Sequence, residues 1–209
     1  MTRPFKLYLI TDRHATKMPL PQAIRFALQG GVRAVQLREK DLPVRELIAL
    51  AQELRALTRE FGARLFINDR VDVAVAVEAD GVHLGHQSMP VEAVRKIVSN
   101  RMLVGVSTHN KEESIVAEKG GADFITFGPV FETPSKVKLG EPVGCDAINI
   151  VKNCISIPIY GLGGINSGNL NSVLSAGAYG IGLISAILRS ENIQKASENI
   201  TRLLDSNPR

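Results

Sequence analysis

The sequence runs to 209 residues, with 44% hydrophobic and 22% charged side chains, ten Pro, two Cys and no Trp. These proportions belong to a folded globular domain and exclude disorder and fibrous repeats. An aromatic content of 5%, with no dense run of Lys or Arg, argues against a nucleic-acid surface, and a net charge of +4 is permissive of small phosphorylated ligands and no more.

Cys145 and Cys154 form neither a CxxC nor a Cys/His cluster, so a zinc staple and a disulfide framework are unsupported and a reducing compartment fits. The apolar run in MTRPFKLYLITDR stops at Asp12, short of a signal h-region, and no stretch reaches the length of a membrane span. A cytoplasmic protein without membrane attachment is expected.

Along the chain one theme recurs: a helix-like stretch ends in Gly and a β-branched or apolar strand follows, as in QGGVRAVQLREK, ADGVHLG, KGGADFITFGPV and SAGAYGIGLISA. Strands are expected near 6–11, 33–37, 64–67, 80–84, 102–106, 122–127, 157–160 and 178–183. Helices are expected near 19–29, 43–60, 70–77, 90–99, 110–119, 144–153, 167–175 and 185–203, the last splitting near Ser190–Asn192. The clearest is 43–60, where Leu47, Ile48, Ala51, Leu54, Ala56 and Leu57 share one side. Eight βα units without a linker predict a single (β/α)8 TIM barrel over 1–209, its last few residues a tail. An open doubly wound sheet is the competitor, but Thr11-Asp12-Arg13-His14 carries no GxGxxG.

In such a barrel the chemistry sits at the C-terminal ends of the strands. After strand 2, alternation puts Gln36 and Arg38 on the inner face, with Lys40 beyond them, while Val35 and Leu37 face the helices. This reads as an anion clamp; the plain alternative is Arg38 and Lys40 paired with Glu39 and Asp41 on a solvated loop. Asn68 and Asp69 read equally as helix caps or as an amide beside a Mg2+ carboxylate. His83 reads as a core histidine satisfied by hydrogen bonds, and His86 lies nearer the mouth. Ser107, Thr108, His109 and Asn110 follow strand 5, with Thr108 and Asn110 favoured as caps.

The insertion GPVFETPSKVKLGEPVG (128–144) exceeds the usual ~2–6 residue βα loop and suggests a clamp over substrate, with Lys136 between the hydroxyls of Thr133 and Ser135. Lys138 reads as solvated. Gly161-Leu162-Gly163-Gly164 and the run Gly182 to Ile187 suit phosphate binding by backbone N–H groups, with tight turns as the alternative. No GxSxG, HExxH or Cys–His pair is present, so the inventory suits phosphorylated substrates rather than covalent catalysis.

YLITDR (8–13), VQLREK (35–40), INDRVDVAVAVEADGVHLG (67–85), GVSTHN (105–110), GADFITFGPVFETPSK (121–136), GLGGIN (161–166) and GIGLISAI (180–187) together resemble the thiamine phosphate synthase family. The resemblance implies condensation of hydroxymethylpyrimidine diphosphate with thiazole phosphate, with Mg2+, through a dissociative pyrimidine cation. It implies that Gln36, Arg38, Lys40, Asn68 and Lys136 hold the pyrimidine diphosphate, and that Ser107 contacts the pyrophosphate or the pyrimidine. Asp69 would bind Mg2+, while Thr133, Ser135, Gly164, Ile184 and Ser185 would hold the thiazole phosphate. Ser107, Lys136 and Arg38 form the implied catalytic set.

One departure stands out: His86-Gln87-Ser88 puts Ser88 where the family carries a second Mg2+ carboxylate. FETPSK with LGEPVG is similar to the sister thiazole tautomerases, yet Pro129 falls where their catalytic histidine would be. A tautomerase or a non-catalytic phosphate-binding relative is therefore the alternative. Pairing into a homo-oligomer through outer helices fits barrels of this kind.

Overall fold

The structure, a computed structural model, describes residues 5–133 and 141–207. Strands β1 (Leu7–Ile10), β2 (Ala34–Leu37), β3 (Arg64–Asn68), β4 (Gly81–Leu84), β5 (Leu103–Thr108), β6 (Phe124–Phe127), β7 (Ile159–Leu162) and β8 (Gly180–Leu183) alternate with helices α1 (Leu20–Gln29), α2 (Val44–Glu60), α3 (Val71–Ala76), α4 (Val91–Val98), α5 (Lys111–Lys119), α6 (Gly144–Lys152), α7 (Leu170–Ser175), α8 (Ser185–Leu188) and α9 (Ile193–Asp205). All neighbouring strands pair in parallel and β1 pairs with β8, which closes the (β/α)8 barrel. No described helix is long and apolar enough to cross a membrane.

Two boundaries differ from the sequence expectation for identifiable reasons, and a third feature agrees with it. β5 continues to Thr108 because Ser107 and Thr108 pair with Thr126 and Phe127. β7 starts at Ile159 because Pro158 has no N–H to give a ladder, although its carbonyl accepts from Ile125 at 3.0 Å. The last helical stretch does break: α8 ends at Leu188, and Asn192 caps α9 by accepting from Lys195 N at 2.9 Å. On α2 the buried face is Leu47, Ala51, Leu54, Leu57 and Thr58, a spacing of three, four and seven, and Ala56 faces solvent.

The alternation expected of β2 is realised throughout. Outward residues such as Val35, Leu37, Leu65, Ile67, Val82 and Val104 join the helices in the larger core cluster. Inward residues build a second cluster of Phe5, Tyr8, Ile10, Ala34, Phe66, Phe124 and Tyr160. Tyr8–Phe66, Phe66–Phe124 and Phe124–Tyr160 meet edge to face at 5.2, 5.5 and 5.3 Å, which adds about 0.5–1.5 kcal/mol per pair beyond burial. Glycine makes the room: a Cβ on Gly81 would strike the Phe66 ring at 2.5 Å. The barrel is therefore filled from below, and any ligand must lie above these rings.

The N-terminal end of the barrel is closed by one repeated device. Asp80, just before β4, accepts from Leu65 N at 2.8 Å and from Arg55 of α2 at 2.5 Å. Asp123, just before β6, accepts from Val104 N at 2.6 Å and pairs with Arg95 of α4. Each carboxylate ties a helix to two strands. Arg59–Glu78 continues the pattern at the surface, and Lys6 donates to the carbonyls of Leu204 and Asn207 at the end of α9.

Candidate active site

At the opposite end, the β1 and β2 loops settle the question left open for the REKD run. Glu39, 5% exposed, accepts from Thr11 Oγ1 at 2.6 Å, from the Arg13 backbone N–H at 3.1 Å and from Arg13 Nη1 at 3.2 Å. Asp41 takes both ends of the same guanidinium, at 2.5 and 2.6 Å, and Arg13 holds its carboxyl well below the usual carboxylate range. Arg38 is half-buried and is fixed through its backbone N–H on Thr11 Oγ1 at 2.9 Å, while Lys40 is exposed. Neither cation has a side-chain partner among the described residues. The plain alternative of self-pairing is not realised.

Asn68 closes β3 and Asp69 follows in the left-handed region, φ 64°, its N–H donating to the His83 carbonyl at 2.8 Å. Asn and Asp tolerate this conformation better than other non-glycine residues. The residue before α3 is Arg70, which makes no side-chain cap and instead pairs with Asp72. Asn68 and Asp69 thus do not cap the helix, and Asp69 is exposed at the mouth. Ser88 Oγ accepts from Gly85 N at 2.7 Å and closes a turn, and His86 is exposed. Among the described residues no group of three His, Cys, Asp or Glu side chains could hold a metal. A cation here would lean on Asp69, with phosphate oxygens and water supplying the rest of its shell.

Between mouth and rings lies a polar layer. Gln36, 1% exposed, donates from Nε2 to Tyr8 OH at 3.0 Å. Tyr8 OH lies 3.4 Å from His83 Nδ1, and His83 Nε2 lies 3.0 Å from Ser107 Oγ. Thr126 Oγ1 donates to Ser107 Oγ at 3.3 Å. His83 is the hydrogen-bonded core histidine expected, and Gln36 points inward as its alternation demanded.

After β5, Asn110 is the N-cap of α5, accepting from Glu113 N at 2.8 Å, and His109 pairs with Glu113 at 3.0 Å. Thr108 was expected to cap as well; instead it is buried, donating to the Thr126 carbonyl at 3.3 Å and accepting from Ser114 at 3.1 Å. The long loop after β6 is pinned at its base. Val130 N and Phe131 N donate to the carbonyls of Leu162 and Gly163, and Val143 N returns to Pro129. Gly164, φ 66°, passes so near this base that a Cβ would meet the Glu132 carbonyl at 2.5 Å. The tight-turn reading of this glycine run is thus realised, and no described backbone group accepts from Gly164 N or Ile184 N. Ser185 opens α8 and is exposed, and Thr133 is half-buried. Ser135, Lys136 and Lys138 lie outside the described residues.

Sequence reasoning missed Thr11, Arg13, Tyr8 and Thr126. Tyr8 and Thr126 were within reach of the same alternation that placed Gln36; the role of Arg13 needed the closed barrel, because it bonds residues 26 and 28 positions away.

Fold and mouth together define a (β/α)8 barrel that carries unpaired cations and a carboxylate at its C-terminal rim, the usual site of enzymes built this way. Comparison with known proteins narrows the class. The profile of the family described as "Thiamine monophosphate synthase" matches residues 7–187. A "Putative thiamine-phosphate synthase" of Geobacter sulfurreducens is 51% identical over 201 residues, 96% of this chain and 94% of the relative. A "Thiamine-phosphate synthase" of Pyrococcus furiosus is 41% identical, covering 96% of this chain and 95% of its own. The solved thiamine phosphate pyrophosphorylase from Pyrococcus furiosus is 40% identical, with a TM-score of 0.90 over 97% of this chain and 96% of that one. A solved structure described as "Native KDPGal structure", 18% identical with a TM-score of 0.72 over 99% of this chain and 97% of that one, shares the fold alone. The chain belongs to the thiamine monophosphate synthase family, an enzyme family of transferases.

Proposed function

We propose that this protein is a thiamine phosphate synthase, joining hydroxymethylpyrimidine diphosphate to thiazole phosphate with loss of pyrophosphate. The observation that carries the reading, beside membership of the family, is the pair Arg38 and Lys40. Their acidic neighbours are held by Arg13, so both cations stand ready for an anion.

A dissociative step needs the departing diphosphate stabilised more than the bound ground state. Arg38 offers a planar fork and Lys40 a point charge for that task, with Lys136 joining from the long loop. Gln36, Asn68 and Ser107 position the pyrimidine diphosphate. Thr133, Ser135, Gly164, Ile184 and Ser185 hold the thiazole phosphate so that its ring nitrogen meets the cation before water does. Asp69 would hold Mg2+, which when bound supplies further charge neutralisation of the diphosphate. Ser88 Oγ is engaged by Gly85 N and adds no carboxylate. The same reading makes the protein a cytoplasmic enzyme of small phosphorylated molecules, with no nucleic-acid or membrane role.

The test supplies both phosphorylated substrates with Mg2+ and follows thiamine phosphate. Formation well above the uncatalysed background is expected. No product, with exchange at the carboxylate-bearing thiazole carbon, would make the protein a tautomerase; binding with neither reaction would make it a non-catalytic phosphate-binding protein.

A further inference from the structure

Four side chains of the polar layer beneath the mouth are sealed: Tyr8 is 0% exposed, Gln36 and Thr126 1% and His83 2%. Only Ser107, which the chain ends on, is half-exposed. Inside a barrel sealed hydroxyls and ring nitrogens resolve their donor and acceptor roles with their neighbours, because buried polar groups in folded proteins are hydrogen-bonded in the great majority of cases. That requirement gives the layer a direction.

An amide nitrogen only donates, so Gln36 Nε2, 3.0 Å away, occupies a lone pair of Tyr8 OH and leaves the phenol its own proton. Burial keeps that proton in place by pushing Tyr8 well above its ordinary range. The phenol therefore donates, and the ring nitrogen facing it is His83 Nδ1 at 3.4 Å. A neutral imidazole that accepts at Nδ1 carries its hydrogen on Nε2, and that hydrogen points to Ser107 Oγ at 3.0 Å. Thr126 Oγ1 donates to the same oxygen at 3.3 Å and lies 3.4 Å from His83 Nε2, where a nitrogen that carries the hydrogen leaves it only the accepting role. Both lone pairs of Ser107 Oγ are then filled from below.

We infer that Tyr8, His83 and Thr126 are positioning residues that commit Ser107 to donate its hydroxyl proton upward, to an acceptor atom of the diphosphate substrate. An unoriented serine could donate or accept with equal ease. Fixed as a donor, it favours an anionic or ring-nitrogen acceptor and disfavours an N–H or O–H group at the same point. The inference rests on the proposed synthase reading for the identity of the ligand; the direction of the chain does not depend on it.

Two measurements test it. Nitrogen-15 NMR of histidine-labelled, ligand-free protein should show His83 as the neutral tautomer with hydrogen on Nε2; hydrogen on Nδ1, or a charged ring, would overturn the inference. For the role, thiamine phosphate formation is compared in Tyr8→Phe, Thr126→Val, Ser107→Ala and the two pairs with Ser107→Ala. Each of the first two should lower kcat/KM roughly 5- to 10-fold in the parent, the worth of one oriented hydrogen bond, and less than about twofold when Ser107→Ala is already present. Equal losses in both backgrounds would mean that these residues act through the fold alone and would overturn the inference. Should the parent form no thiamine phosphate, the synthase reading falls, while the tautomer of His83 still decides the direction of the chain.

Discussion

The two ends of the barrel use the same residue types to opposite purpose. At the N-terminal end, Arg55 and Arg95 each meet an aspartate that also receives a strand N–H, so charge is consumed in holding helices to strands. At the C-terminal end the carboxylates are consumed as well, but by Arg13, and this leaves Arg38 and Lys40 without a described partner. Arg55 and Arg95 each meet a carboxylate, whereas the carboxylates beside Arg38 are already engaged by Arg13. Residue type alone does not decide the role of an arginine.

The largest effect that can break this contrast is at Arg38. Arg38→Ala should lower thiamine phosphate formation about a hundred- to a thousandfold, as loss of one preorganised donor to developing charge does, and shift Tm by less than about 2 °C. A substantial loss of stability would put Arg38 with the architectural arginines. Next comes Asp80→Ala, which removes the acceptor of Leu65 N and strands Arg55, whose Nε is already buried without a partner among the described residues. A loss of about 2–3 kcal/mol in urea unfolding is expected, with activity per folded molecule unchanged.

A smaller effect sharpens the comparison from within the mouth. Arg13→Ala releases Glu39 and Asp41 to Arg38 and Lys40, and should raise KM for the pyrimidine diphosphate about tenfold while kcat changes less than about twofold. An unchanged KM would show that Arg13 does not keep the clamp free. The smallest effect is the pH dependence of the Arg13–Asp41 pair. Because Arg13 depresses Asp41 in the folded state, the pair's contribution is present above the ordinary carboxylate value, about pH 4, and is lost as pH falls through the lower folded value. The Tm difference between the parent and Asp41→Asn should therefore be measurable at pH 7 and fade below about pH 4.

The alternation of strand and Gly-capped helix made the eight units legible, since each strand is four to six residues, mostly buried, between polar breaks. Periodicity of two also placed Gln36 inward, and the length of the loop after Phe127 was plain. What could not be read was partnership across the barrel. Tyr8 and His83 lie 75 positions apart, and Arg13 reaches Asp41 28 positions away. Those contacts exist only once β1 meets β2 and β8 and the ring closes. The capping of α5 by Asn110 was legible, whereas the places of Thr108 and Asp69 depend on the same closure. Thr108 sits where a cap would, yet β6 draws it into the sheet, and Asp69 turns into the left-handed region because its N–H is held by β4.

Calorimetric titration of inorganic pyrophosphate with Mg2+, into the parent, the Arg38→Ala/Lys40→Ala double variant and Arg59→Ala, tests the central contrast most directly. The parent and Arg59→Ala, which loses only an exposed ion pair at the closed end, should bind alike, and the double variant at least about a hundredfold more weakly. Equal binding by all three proteins would contradict the assignment of the diphosphate to the C-terminal mouth.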